Sequence, residues 1–453
     1  MIKRSVYELA AVCGGRVYNC LCDFEIGIIV NNDKHCVKNC CYASIDGENH
    51  KGNEFVLSAV KNGATVILCQ TPPNENIPYV LVPSVSKALC DIAAYYRVKE
   101  LKNVVAVTGS VGKTTVKEMC ASVIAQSGAV LKTEGNKNNL LGLPLTVLSN
   151  TDSEIAVLEA GISERGEMDR LADICRPDVA VITNIGLMHG ETLGSREDIA
   201  REKLKIIGDG AKCTLIVPVG EPLLSQNNAY KTVTVGYESE NADYSVFNAE
   251  FTEDGSLFDV KIKGGDIIEG LFVSVIGRHG CIDGAFAVAV GKTLGISENE
   301  IRNGLMRYKT VGDRQNITVK NGFTVMRDCY NFGPESANAA LEAFSVLCDK
   351  RKPCRSVAML GSMLELGKIS ESEHIKLGKH IAKSKITHLI TVGDLAQNIA
   401  LGALMGGMDK ENVYAFKDGE RSEAKAALDK LCISGSALLL KGSRGMKMED
   451  FLI

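Results

Sequence analysis

The 453 residues exceed what a single hydrophobic core accommodates, so the length predicts about three domains. Hydrophobic residues at 45%, charged residues at 23% and a net charge of -4 describe an ordinary globular chain and exclude a strongly basic surface for polyanions. With 5% aromatic residues and no Trp, the stacking platform that a single-stranded nucleic-acid partner needs is excluded too.

Apolar runs such as Ala437-Leu438-Leu439-Leu440 stop after a few residues, so no membrane insertion is expected. Met1-Ile2-Lys3-Arg4 carries charge, but Cys13-Gly14-Gly15-Arg16 interrupts any apolar stretch behind it. This does not read as a signal peptide, and a cytoplasmic location is expected. Of the 16 cysteines, Cys20, Cys22, Cys36, Cys40 and Cys41 are crowded. A metal site on Cys36, Cys40 and Cys41 is conceivable, yet no paired CxxC motif occurs. Single cysteines in apolar stretches, such as Cys69, Cys90 and Cys213, read as small buried hydrophobes, reduced in a reducing compartment.

Along the chain, residues 1–98 carry short apolar strands and turns, then apolar residues at helical spacing over 88–101. From Val104 the pattern alternates. Val104-Val105-Ala106-Val107 predicts a buried strand, and 114–126 a helix running into a Ser-Gly stop. Ile155-Ala156-Val157-Leu158 and Val179-Ala180-Val181-Ile182 predict further buried strands of a parallel sheet. Residues 213–276 turn β-rich, alternating in Lys231-Thr232-Val233-Thr234-Val235, and predict a meander packed on the central domain. Beyond about 311, Phe323-Thr324-Val325-Met326, Val357-Ala358-Met359-Leu360, Leu389-Ile390-Thr391-Val392 and Leu438-Leu439-Leu440 are short strands between helical spans. That rhythm predicts a small doubly wound sheet with ligands at the loops after Leu360, Val392 and Leu440. The expected class is α/β in three domains: a small N-terminal α/β substrate domain (1–98), a central P-loop parallel-sheet ATPase domain (99–310) and a C-terminal Rossmann-like doubly wound domain (311–453).

After the first central strand comes Thr108-Gly109-Ser110-Val111-Gly112-Lys113-Thr114-Thr115, then a helix. The glycines allow backbone N–H groups to converge on phosphate oxygens, and the helix N-terminus adds partial positive charge. Lys113 can reach the β- and γ-phosphates, and the Thr114 hydroxyl suits Mg²⁺. Val107 stands where the first glycine of the full P-loop pattern would be, yet Gly-Lys-Thr-Thr between a strand and a helix still predicts a nucleotide site over Gly109 to Thr115.

Six further segments resemble the Mur ligase family. Gly135-Asn136-Lys137-Asn138-Asn139-Leu140-Leu141-Gly142-Leu143-Pro144 is similar to its GNxNNxxGxP segment. Leu158-Glu159-Ala160-Gly161, with Arg165-Gly166-Glu167-Met168 behind it, resembles its acidic metal-binding strand end, and Thr183-Asn184-Ile185-Gly186 followed by His189 resembles the next one. Tyr330-Asn331-Phe332-Gly333-Pro334-Glu335-Ser336, Met363-Leu364-Glu365-Leu366-Gly367 and Lys441-Gly442-Ser443-Arg444-Gly445-Met446 are similar to signatures of one branch. That branch joins D-alanyl-D-alanine to UDP-N-acetylmuramoyl-tripeptide in peptidoglycan synthesis. The resemblance spans nearly the whole chain and is weakest before residue 40.

The resemblance implies an ATP-dependent amide ligase, a monomer, working through an acyl phosphate because a free carboxylate is a poor electrophile. It implies two Mg²⁺ ions held by Thr114, Glu159, His189 and Lys203, the last as a CO₂-derived carbamate. It also implies Lys113 and Arg314 at the β- and γ-phosphates, and Asn138, Asp283, Asp328 and Asn331 around the nucleotide. Asp33 and Asp46 would meet the UDP-sugar, and Lys441, Ser443 and Arg444 would also be substrate-binding.

Several positions depart from the family pattern. Lys205 stands where an acid is usual, so a solvated basic helix face competes for the Lys203 segment. Gly280 and Asp283 replace two asparagines, and a carboxylate at 283 accepts from adenine but cannot donate to it. Arg327 replaces an acid before Asp328, and Asp33-Lys34-His35 replaces Asp-Ser-Arg, losing a bidentate arginine. Competing readings are the ligase that adds the third amino acid, folylpolyglutamate synthase, and a non-catalytic nucleotide-binding partner. The Met363-to-Gly367 and Lys441-to-Arg444 signatures disfavour the first two, and Glu159, His189 and Lys203 the third.

Overall fold

A computed structural model describes residues 2–47, 49–186, 190–209, 212–224 and 230–452, and these form four sheets. The central sheet has nine strands in the order Ile267–Val273, Ser256–Ile262, Tyr244–Phe251, Lys231–Tyr237, Thr214–Pro218, Val179–Ile182, Asn103–Thr108, Ile155–Glu159 and Val130–Lys132. The strand Asn103–Thr108, seventh in that order, is apolar at consecutive positions, and Val104, Val105, Ala106 and Val107 are all fully buried because helices cover both faces. Alternate residues feed two different cores: Val104 and Ala106 pack with the helix Val85–Glu100, Val105 and Val107 with the helices Lys113–Ile124 and Arg278–Thr293.

The expected meander over 213–276 is corrected here. Thr214–Pro218, Lys231–Tyr237 and Tyr244–Phe251 pair in parallel and continue the central sheet, and only the last three strands run antiparallel. The physical reason is the alternation itself. Val233 and Val235 point to the same core as Val246 and Phe258, beneath the apolar helix Arg278–Thr293, so the segment completes a layer and does not pack on top of one.

The C-terminal sheet orders Asn316–Lys320, Phe323–Asp328, Ala437–Lys441, Ser356–Leu360, His388–Val392 and Val413–Phe416. All neighbours are parallel except the first pair. The four expected strands are present, flanked by the edge strands Asn316–Lys320, of mixed polarity, and Val413–Phe416, a short apolar run left largely half-exposed. Asp328 and Leu360 both pair with Lys441, so three strand ends lie level.

The N-terminal part holds a five-stranded sheet from Arg16–Tyr18 to Ile29–Val30 and a two-stranded pair of Arg4–Ser5 with Glu25–Ile26. One core includes residues of this part and of the central sheet. Arg4 is fully buried at that junction, donating to Glu100 at 2.8 and 2.7 Å and to the carbonyls of Gly27, Leu148 and Asn150. A buried guanidinium is tolerated because each donor finds an acceptor. Cys36, Cys40, Cys41, Cys69, Cys90 and Cys213 are buried free thiols.

Candidate active site

The register of the central sheet brings three strand ends together. Glu159 pairs with Val107 and Ile182 with Thr108. From Thr108 the chain turns through Gly109 and Gly112 into the helix Lys113–Ile124. Gly109 has φ +147°, and a Cβ there would stand 1.9 Å from Thr183 Oγ1, while Gly112 caps the helix at φ +84°. Both positions require glycine. The loop's shape is held by a residue that sequence reading left out of the site: Asn184 Oδ1 accepts the N–H groups of Ser110 (3.0 Å) and Val111 (2.9 Å). Thr183 Oγ1 donates to Val111 O at 2.5 Å. The available signal was position, since Asn184 follows a buried strand that ends beside the loop.

Thr114 is the centre of a chain of polar contacts. Its hydroxyl donates to Glu159 Oε2 at 2.9 Å and accepts from Arg314 Nη2 at 3.0 Å, across the junction between the central and C-terminal sheets. Asn138 Nδ2 donates to the other Glu159 oxygen at 2.8 Å, and Thr133 Oγ1 receives the Glu159 N–H at 3.0 Å. Glu159 is 2% exposed, so these partners fix its direction. A hydroxyl and a carboxylate side by side are hard oxygen donors, the set that Mg²⁺ takes alongside phosphates and water.

Two lysines converge on one carbonyl. Lys113 Nζ donates to Gly109 O at 2.9 Å and Ser110 O at 3.2 Å, and Lys203 Nζ donates to the same Gly109 O at 2.9 Å. Burial pushes the Lys203 ammonium well below its usual range and the Lys113 charge adds to this. Burial also lowers Lys113; Glu159 partly opposes and Arg314 assists. Lys205, two residues on, faces outward and pairs with Asp169 at 2.7 Å and Glu202 at 2.8 Å. The helix Arg196–Leu204 therefore presents Lys203, not Lys205, to the phosphate loop.

Asp283 lies on the helix Arg278–Thr293 with its carboxylate against the loop, where a Cβ on Gly112 would meet Oδ1 at 3.2 Å. Burial holds that carboxyl well above the usual carboxylate range. Just before it, His279 is lowered to about 4 by burial, so its ring is neutral and Nε2 accepts from Gln315 Nε2 at 2.6 Å. Gln315 also exchanges hydrogen bonds with both backbone groups of Ile276 at 3.0 and 3.2 Å. This clamp carries Arg314 on its neighbouring residue, and neither His279 nor Gln315 was singled out from the sequence.

At the level strand ends of the C-terminal sheet, Lys441 is 1% exposed. Its Nζ donates to Asp328 Oδ2 at 2.5 Å and Asn331 O at 3.0 Å, so both predicted nucleotide residues share one buried cation that was expected at a substrate. Ser443 Oγ accepts the Leu364 N–H at 3.0 Å, tying the loops after Leu440 and Leu360 together. Arg444 is exposed, with its guanidinium 5.2 Å from the centroid of Tyr330; Arg314 stacks on that ring at 3.6 Å.

The N-terminal calls fall apart from this cluster. Asp33 Oδ2 accepts from Ser58 Oγ at 2.5 Å, and Asp46 Oδ1 from the Gly52 N–H at 2.9 Å, each shaping its own loop. His189 lies outside the described residues.

Residues 107–291 match the Mur ligase middle domain, and residues 313–444 the Mur ligase glutamate ligase domain. The UDP-N-acetylmuramoyl-tripeptide–D-alanyl-D-alanine ligase of Bacillus subtilis is 35% identical over 461 residues, covering 100% of this chain and 98% of that one. The chain belongs to the Mur ligase family. Among solved Mur ligases, MurF from Acinetobacter baumannii has a TM-score of 0.87 at 27% identity, covering 100% of this chain and 98% of that one. The MurF ligase of Thermotoga maritima in complex with ADP has a TM-score of 0.80 at 27% identity, with 94% and 96% covered. In this Mur ligase the phosphate loop, Glu159, Lys203 and Asp283 lie in the first matched segment, and Arg314, Tyr330 and Arg444 in the second.

Proposed function

We propose that the chain joins D-alanyl-D-alanine to UDP-N-acetylmuramoyl-tripeptide, consuming ATP and yielding ADP, phosphate and the pentapeptide precursor of peptidoglycan. The observation that carries this reading is end-to-end similarity to the B. subtilis ligase, joined to the convergence of Thr114, Glu159, Lys113 and Arg314. A carboxylate oxygen of the tripeptide attacks the γ-phosphorus of ATP, and the bond to the β-bridging oxygen breaks to release ADP. The dipeptide amine then attacks the acyl carbon, and phosphate leaves with the electrons of the C–O bond as the amine loses a proton.

The chain's residues divide this work. The N–H groups at the start of the helix Lys113–Ile124 and the Lys113 ammonium bind the phosphates, the Ser110 and Val111 amides being taken by Asn184, and Arg314 neutralises charge at the γ end. Thr114 and Glu159 would hold Mg²⁺, which supplies a Lewis acid that neutralises phosphate charge; Asn138 orients Glu159 for it. His189 is assigned to a second ion. Lys203 is assigned as a carbamate: burial favours its neutral amine, whose lone pair adds to CO₂ with loss of one proton, turning a disfavoured cation into an anionic oxygen donor. Asp283, Asp328 and Asn331 are assigned to the nucleoside, Asp33 and Asp46 to the UDP-sugar, Ser443 and Arg444 to the remaining substrate groups, and the buried Lys441 to holding Asp328 and Asn331 in place.

Residues 1–98, 99–310 and 311–453 are taken as the three functional domains. ATP and a UDP-linked substrate are intracellular metabolites, which favours a cytoplasmic enzyme, and we take it as a monomer without a nucleic-acid partner. The reading is tested by phosphate release from ATP across a panel of UDP-muramoyl peptides. The expected result is release with the tripeptide that depends on D-alanyl-D-alanine; release independent of both substrates overturns it.

A further inference from the structure

The two guanidinium groups assigned to opposite substrates meet on one side chain. Arg314 comes from the segment clamped by Gln315, and Arg444 from the turn after the strand Ala437–Lys441, yet both lie over the Tyr330 ring, at 3.6 and 5.2 Å from its centroid. Arg314 reaches onward from the ring to the Thr114 hydroxyl, and through it to Glu159. Thus Glu159, Thr114, Arg314, Tyr330 and Arg444 form a continuous path from the phosphate loop to the exposed Arg444.

An aromatic face attracts a cation through its quadrupole and, unlike a carboxylate, does so without neutralising it. That distinction matters here. A carboxylate partner would quench the charge that Arg314 must offer to a phosphate, whereas a ring holds the planar group in direction and leaves its donors free. The ring is itself fixed from behind: Lys441 ties Asp328 to Asn331 on either side of Tyr330, and the Tyr330 N–H donates to Asp313 O at 3.3 Å.

We propose that Tyr330 is a positioning residue shared by both substrate sites, holding Arg314 toward the γ-phosphate and Arg444 toward the carboxylate of the incoming dipeptide. The inference rests on the role given to Arg314 above and on Arg444 as a substrate residue, whose exposed guanidinium is assigned here to the carboxylate of the dipeptide. It explains why the two arginines, 130 positions apart in sequence, share a support that belongs to neither.

The test replaces the ring face and then its charge distribution. Tyr330→Phe keeps the face and should leave all constants within about twofold. In Tyr330→Leu, the preference for a non-hydrolysable ATP analogue over ADP, measured by calorimetry, should fall about 3- to 30-fold, and KM for D-alanyl-D-alanine should rise by a similar factor. Pentafluorophenylalanine at position 330 keeps the shape but reverses the quadrupole, and should behave like leucine even where Tyr330→Leu unfolds. Unchanged constants in the fluorinated protein overturn the proposal. So does a Tyr330→Phe variant as weak as Tyr330→Leu, which would assign the effect to the hydroxyl, and so does a change confined to one substrate. Failure of the ligase reading looks different, because the unsubstituted protein itself would then show no dipeptide-dependent release of phosphate.

Discussion

The phosphate loop and the turn around Tyr330 both end parallel strands, yet they are built in opposite ways. In the loop, eight consecutive residues supply the backbone that does the binding; neighbouring segments brace it through Thr183 and Asn184 and add Glu159 and Lys203 at its edge. In the turn, little is consecutive. Arg314, Asp328, Tyr330, Lys441 and Arg444 come from three separated segments, and their side chains meet through an ion pair and a shared ring. A site made of backbone tolerates side-chain drift at its edges, whereas a site made of assembled side chains depends on each partner being present.

The largest effect should come from the loop. Lys113→Ala removes a cation from the β- and γ-phosphates but none from a core, so ATP-dependent phosphate release should fall about 10³-fold while the melting temperature holds. Near-normal turnover by the folded variant would break the contrast, since the loop would then act without its one essential side chain.

The next test separates Lys203 from Lys205. Lys203→Ala should lose about 10²-fold in activity, partly restored by added acetate, while Lys205→Ala, whose ion pairs are half exposed, should stay within about twofold and lose less than ~1 kcal/mol of stability. Stability adds a signature. Lys203 has a folded pKa below its ordinary 10.5, so the unfolded chain binds more protons and stability rises with pH up to that value. In CO₂-free buffer, Lys203→Met should flatten that rise and raise the melting temperature even as activity disappears. A lower melting temperature would mean that the buried amine is not the strained group.

For the turn, Lys441→Met leaves the Asp328 carboxylate without its buried partner and should cost about 3 kcal/mol, seen by denaturant unfolding. A stable variant with a raised KM would instead make Lys441 a substrate ligand and bring the turn closer to the loop in kind. The smallest effect is expected at Asp283. Asp283→Asn offers adenine a donor and an acceptor at every pH, whereas the buried carboxyl donates only while protonated, so the ratio of kcat/KM for ATP over GTP should rise about 3- to 10-fold toward alkaline pH. An unchanged ratio would place residue 283 with the loop it touches at Gly112 and away from the base.

Much of this molecule was legible from its order of residues. The short, mostly β-branched run 104–107, bounded by turn residues, reads as a strand covered on both faces, and Gly-Lys-Thr-Thr after such a strand is a phosphate site because the backbone needed is contiguous. The family resemblance, and not locality, put Glu159 and Asn138 beside Thr114 and Lys203 at the loop. What only the tertiary structure decided lies across long separations. The alternation in 231–235 marks a strand but not whether it extends a sheet or packs upon one, a choice made by the helix Arg278–Thr293 that covers it. Likewise no spacing in the chain announces that Lys441 neutralises Asp328, that Gln315 grips His279, or that Arg314 and Arg444 share Tyr330. Local sequence dictates backbone conformation through sterics and burial, but which side chains meet is settled by strand register and sheet order.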